Sequence, residues 1–262
     1  MLEQTLVPPL GVTELDPDPI AATSSRLGSA QGTAGERYHL ASGLTPARLS
    51  RLVPPGSVAA VKDFYFRTAA EGAEKLLEEG SEHVGSVAAI APEIEAVLEP
   101  CWSEPHVIAA LYGVDVVVRA REGLWRQIPG RPYLTWESQW SAGNSVALQH
   151  VIAGSPDLSG HDRALILLTA PLVRSQLIAG ERGYRSALIA AGIVASSMMR
   201  RCFASPEAAW QPRLVENFLD RDANRLLRND GVDRALVALL IVSKATPRNT
   251  SPAGPQSESE AS

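Results

Sequence analysis

Ala164-Leu-Ile-Leu-Leu-Thr169, Glu181-Arg-Gly-Tyr-Arg185, the apolar segment that follows over 186–199, and Ala235-Leu-Val-Ala-Leu-Leu-Ile-Val242 lie in one passage, His161 to Lys244. The first and last are short apolar runs rich in branched residues, and each reads as a buried strand. Between them, Ala187-Leu-Ile-Ala-Ala-Gly-Ile-Val-Ala195 carries no polar side chain. A helix apolar on every side must be buried all round, between subunits or between a sheet and other helices. Gly192 costs about 1 kcal/mol against alanine inside a helix, so close packing is expected there. Val215-Glu-Asn-Phe-Leu-Asp220 and Asn224-Arg-Leu-Leu-Arg228 supply a short helix before the final strand. The passage therefore reads as strand, buried helix, short helix, strand.

Upstream, Val114-Asp-Val-Val-Val-Arg119 and Leu124-Trp-Arg-Gln-Ile128 read as the arms of a hairpin. Arg121-Glu122-Gly123 is its turn, with the glycine available for a positive φ. Trp136 and Trp140, four apart in 134–148, would share one face of a helix, as core or interface patch or as a flavin-stacking surface. Residues 58–66 are apolar and aromatic and read as a strand. Residues 68–79 and 92–98 read as helices, the latter with Pro92 at its start. Thr45-Pro46 marks the start of another short helix, to about residue 52, which Pro54-Pro55-Gly56 ends.

Residues 1–35, with Asp16-Pro-Asp-Pro19 at their centre, and 245–262 read as poorly ordered, leaving one domain over 36–244. The 262 residues hold 24 Lys and Arg against 29 Asp and Glu, a net charge of −5. That balance argues against a nucleic-acid binder. Lys62, Lys75 and Lys244 are the only lysines. Cys101 and Cys202 read as reduced thiols, or as a disulfide in the other reading. No secretory leader opens the chain and no run approaches the ~20 apolar residues of a membrane span, so a cytoplasmic protein is expected. The five histidines lack metal-ligand spacing, and there is neither a P-loop nor a G-x-S-x-G elbow.

In their order, four passages resemble the nitroreductase superfamily, and more narrowly the SagB-type azoline dehydrogenases of ribosomal-peptide biosynthesis. Ala110-Leu-Tyr112 with the hairpin is similar to that family's SAGALYP segment. Val173-Arg174 and Glu181-Arg-Gly-Tyr-Arg185 resemble its R…KY..R.YR segment. Ala191-Gly192 onward resembles its G-H-x-x-Q-N helix, and Phe218-Leu-Asp220 to Leu226-Leu227 its F.D..LN..LG stretch. Tyr38-His39-Leu-Ala-Ser42 is similar to the family's YH..S entry. The resemblance implies an α+β fold: an antiparallel sheet flanked by helices, with a long buried central helix. It also implies a dimer, with itself or with a partner, and FMN at its interface. The substrate would be a modified precursor peptide whose azolines are oxidised to azoles, alongside biosynthetic partner proteins.

The resemblance also exposes departures. The family's Lys-Tyr pair falls on Ile178-Ala179, and no Lys-Tyr dipeptide occurs in the chain. Its His, Gln and Asn fall on Ile193, Ser196 and Ser197, and its Pro-Ser-Ala-Gly on His106-Val-Ile-Ala109. Its phosphate-binding Arg-Arg-Ser-x-Arg cluster has no counterpart between Arg67 and Cys101. The candidate site residues are therefore Tyr184, as replacement base or structural residue, and Ser196, Ser197, Arg200 and Arg248 toward FMN. Arg200-Arg201 also suit a helix C-terminus. Two functions follow: an FMN-dependent oxidoreductase, or a degenerate, non-catalytic binding or assembly subunit paired with an intact dehydrogenase.

Overall fold

The computed structural model describes residues 53–152, 154, 158, 163–204 and 210–244, all within the unit Leu52–Ser262. The expected arm over 1–35, the segment around Tyr38, the helix over 45–52 and the tail with Arg248 lie outside the described residues.

In chain order the elements are helix α1 (Pro55–Glu78), strand β1 (Val84–Ser86), helix α2 (Val87–Ile90), a 3-10 turn (Pro92–Ile94), and helices α3 (Glu95–Leu98), α4 (Pro100–Ser103) and α5 (Pro105–Ala110). Then come β2 (Asp115–Ala120), β3 (Gly123–Gln127), β4 (Tyr133–Gln139), α6 (Ala142–Val151), β5 (Arg163–Pro171), α7 (Leu172–Ala179), a 3-10 turn (Gly180–Arg182), α8 (Gly183–Ala204), β6 (Trp210–Val215), α9 (Asp220–Leu226) and β7 (Arg234–Lys244). The seven strands form one antiparallel sheet ordered β1-β4-β3-β2-β5-β7-β6.

Alternation along the strands sorts side chains onto two faces. Val116, Val118, Ile166, Leu168, Leu240 and Val242 pack under α8 with the short helices α2 to α5. Val117, Leu165, Leu167, Leu239 and Ile241 face α6 and α9. A bulge opposite Leu168/Thr169 lets Leu236 join this second face. The expected α+β architecture, the hairpin and the two apolar strands are all present.

Several local expectations are corrected. Residues 58–66 are not a strand; they belong to α1, which Pro55 opens at its first turn. Lys62, Tyr65, Phe66, Ala69, Ala70 and Ala73 recur at helical spacing on its inner side, and that periodicity outweighs the local strand propensity. Trp136 lies in β4 and Trp140 just beyond it, before Ser141 caps α6 by accepting from the Asn144 amide at 3.3 Å. The two rings join opposite cores. In the hairpin the left-handed residue is Arg121, at φ 52°. Gly123 is required because the Trp136 ring occupies the place of a Cβ.

The largest correction concerns α8. Ala187, Ala190, Ala191, Val194, Ala195 and Met198 form a small-residue face against the sheet. Leu188, Ile189 and Ile193 on its other side are exposed, Ile189 at 65%. Among the described residues nothing lies within 4 Å of where a Gly192 side chain would project. The helix is thus buried on one side only. Its 22 residues would also suffice for a membrane span by length and composition, more than counting residues 186–199 suggests. Its alanine face, packed on the sheet, assigns it to the core instead.

Candidate functional site

One cavity of about 300 Å³ gathers positions from three of the four passages. His106 and Ala109 of α5, Tyr112 and Gly113 at the turn into β2, Ser175, Ile178 and Ala179 of α7, and Ile189 and Ile193 of α8 line it, with Lys62 reaching in from α1. The sequence forces this approach at two glycines. A Cβ on Gly113 would sit 3.0 Å from the Ala190 Cβ, so glycine brings the turn down onto α8. A Cβ on Gly183 would sit 2.6 Å from the Gln176 amide nitrogen, so glycine lets the start of α8 press against α7.

Arg174 fixes the walls. Its Nε donates to the Tyr112 carbonyl at 2.6 Å and its Nη2 to the Leu111 carbonyl at 3.3 Å. Nη2 also meets the buried Asp115 carboxylate at 2.7 Å, and Nη1 donates to the Tyr65 hydroxyl at 2.6 Å. In return the Tyr112 hydroxyl donates to the Arg174 carbonyl at 3.1 Å. Burial, only partly opposed by the Arg174 charge, raises the Tyr112 pKa and keeps the phenol neutral. Behind Asp115, Arg234 lies 3.8 Å away and is hydrogen-bonded to Glu137. Burial pulls the Arg234 pKa down most strongly, but Glu137 and Asp115 together outweigh it and hold it above the ordinary value.

The Ser175 hydroxyl differs from the Arg174, Tyr112 and Tyr65 groups, which are all hydrogen-bonded. It is 3% exposed, lines the cavity and has no hydrogen-bond partner among the described residues. An unpaired buried hydroxyl costs about 1–3 kcal/mol, a cost that a bound ligand would relieve.

At the rim, His106 Nε2 stands 3.2 Å from Glu104 Oε2 and 3.4 Å from Ser197 Oγ. Both contacts use the same ring nitrogen, so this is not a serine–histidine–carboxylate relay, which requires the two opposite nitrogens. Arg200 donates to Ser197 Oγ at 2.7 Å and to Glu104 at 3.3 Å. Arg201 pairs with Glu99 at 3.3 Å and Glu104 at 3.8 Å.

The candidates from sequence are therefore dispersed. Ser197 is buried beside the rim, where Arg200 and His106 hold it. Arg200 is committed to Glu104, and Ser196 faces outward without lining the cavity. Tyr184, in the first turn of α8, is 40% exposed and does not line the cavity either. Lys62, Tyr112 and Ser175 line the cavity but were not among the candidates from sequence. Tyr112 ends the Ala110-Leu-Tyr112 segment and Ser175 follows Val173-Arg174, but Lys62 had no local signal. Among the described residues no cluster of His, Cys, Asp or Glu is arranged for a metal.

No family model matches the chain, and no curated protein matches it. Solved structures do. A candidate nitroreductase from Anabaena variabilis is 22% identical, with a TM-score of 0.41, over 50% of this chain and 27% of that one. The E. coli microcin synthetase McbBCD complex, solved with truncated pro-MccB17 bound, contains a chain 15% identical, with a TM-score of 0.49, over 78% of this chain and 98% of that one. A candidate nitroreductase from Ralstonia eutropha is 14% identical, with a TM-score of 0.45, over 59% and 72%. The chain thus spans about a quarter of the first of these and nearly all of the second. The likeness in each case is one of fold alone.

Proposed function

We propose that the protein is an FMN-dependent oxidoreductase of nitroreductase type that dehydrogenates azolines in a modified ribosomal peptide in the cytoplasm, as a homodimer or heterodimer. Its flavin ring would lie in the cavity between α5, α7 and the exposed side of α8. The observation that carries this reading is the buried Ser175 hydroxyl, without a partner among the described residues, on a cavity whose α7 and α8 walls are mostly apolar and built from the motif positions. At about 300 Å³ the cavity lies at the lower end of the small-molecule range and fits a ring system. Ile178, Ile189 and Ile193 would cover the ring faces and exclude water, and Ser175 would hydrogen-bond its polar edge. FMN held there would supply a hydride acceptor. Glu104 Oε2 accepts from His106 Nε2 at 3.2 Å, which leaves Nδ1 as the ring nitrogen able to take a proton. His106 is a better-placed proton acceptor at the cavity than Tyr184.

A second reading, the non-catalytic subunit beside an intact dehydrogenase, is favoured by Ile178 and Ala179. They occupy the cavity wall where the resemblance expects a proton-carrying pair.

The deciding experiment is an absorbance spectrum of the purified chain followed by FMN titration. Flavin bands that persist through gel filtration, weakened about tenfold by Ser175→Ala, support the oxidoreductase. No bound flavin and no titration would leave the binding subunit.

A further inference from the structure

We infer that Lys62 makes the cavity selective for a ligand whose apolar or aromatic body carries an anionic group. This takes the cavity as a ligand site, as the flavin reading does, but does not require the ligand to be a flavin.

Lys62 lies on α1 and lines the cavity, its ammonium 5.6 Å from the Tyr112 ring centroid, within cation–π reach. Among the described residues, no carboxylate lines the cavity and none lies within ion-pair distance of Lys62. The surrounding cations are compensated: Arg174 by Asp115, and Arg200 and Arg201 by Glu104 and Glu99. Tyr112 offers no countercharge, because its hydroxyl is spent on the Arg174 carbonyl. The result is a positively charged cavity in a chain of net charge −5. Low-dielectric walls focus such a charge on what enters, and Ser175, which also lines the cavity, adds a second polar group with no partner among the described residues. Phosphate, sulfonate and carboxylate all meet this requirement. The anionic group could belong to a flavin phosphate or to the carboxylate of a substrate.

The test compares two fluorescent probes on the full chain: 8-anilinonaphthalene-1-sulfonate and N-phenyl-1-naphthylamine, which has the same rings without the sulfonate. The wild type should prefer the sulfonate. Lys62→Gln should reduce that preference about tenfold, the order expected for a partly buried charge-assisted contact, and Lys62→Arg should retain it. A preference unchanged by Lys62→Gln overturns the inference. FMN and riboflavin, titrated in parallel, identify the source of the charge. A collapse of the FMN-over-riboflavin ratio in Lys62→Gln assigns it to the flavin phosphate. Loss of sulfonate preference with an intact flavin ratio assigns it to the substrate. If neither flavin binds while probe discrimination still follows Lys62, the flavin reading fails and the anion selectivity stands.

Discussion

Arg174 and Tyr65, 109 residues apart in the chain, meet where Arg174 Nη1 donates to the Tyr65 hydroxyl at 2.6 Å, with the guanidinium 4.2 Å from the ring centroid. This contact holds the N-terminal part of α1, and with it Lys62, against the cavity. Removing the hydroxyl in Tyr65→Phe should cost about 1 kcal/mol. Arg174→Ala also leaves the Asp115 carboxylate, 5% exposed, short of its nearest partner, which should cost about 3–5 kcal/mol. Urea denaturation checks both, and an Arg174→Ala loss no larger than that of Tyr65→Phe would refute the account. Burial, with the Asp115 charge, raises the Tyr65 pKa above its ordinary 10.0. The neutral phenol is the stabilising form. Its contribution is therefore complete below the unfolded value of about 10 and is lost as pH climbs through the higher folded value. Alkaline unfolding should accordingly be steeper in the wild type than in Tyr65→Phe.

Two glycines of α8 should respond in opposite directions. Gly183→Ala drives a methyl into the α7 backbone at Ser175 and Gln176 and should destabilise by about 1–3 kcal/mol. Gly192→Ala meets nothing within 4 Å and should stabilise the isolated chain by up to about 1 kcal/mol. Thermal melts distinguish them. A destabilising Gly192→Ala would mean that another chain or a ligand packs on this face in solution.

The exposed stripe of Leu188, Ile189 and Ile193 is where the dimer reading can be attacked. Ile189→Glu leaves the core intact and should convert the assembly to monomers with an unchanged far-UV spectrum, as light scattering after gel filtration would record. A wild type that is already monomeric, or a mass unaffected by the substitution, would sink that reading.

Both cysteines are free and buried. Burial, with Glu104 nearby, pushes the Cys101 thiol far up, and burial raises Cys202 to about 11. Because thiolate is the reactive form, iodoacetamide at pH 8 should modify neither in the native protein and both in denaturant. Mass spectrometry reads the result, and rapid native labelling of Cys202 would contradict its burial. The reduced-thiol reading of the sequence is the one the structure bears out.

Sequence alone determined the parts whose signal is local. The runs at 164–169 and 235–242, the hairpin at 114–128 and the apolar segment after Tyr184 each carry their structure in periodicity and turn residues, and their order was enough to resemble one fold. Only the tertiary structure decided which residues form the site. Residues 58–66 read as a strand until the inward spacing of Lys62, Tyr65 and Phe66 on α1 became visible. That helix carries Lys62 to Tyr112 and the cavity. Ser175 looked like any serine after an arginine until its burial without a partner set it apart. An all-apolar segment implied burial all round, yet the alanine face of α8 alone suffices to cover the sheet and leaves Ile189 outside. Periodicity reports which side chains can share a face. What meets that face depends on contacts between residues distant in sequence, which no local pattern encodes.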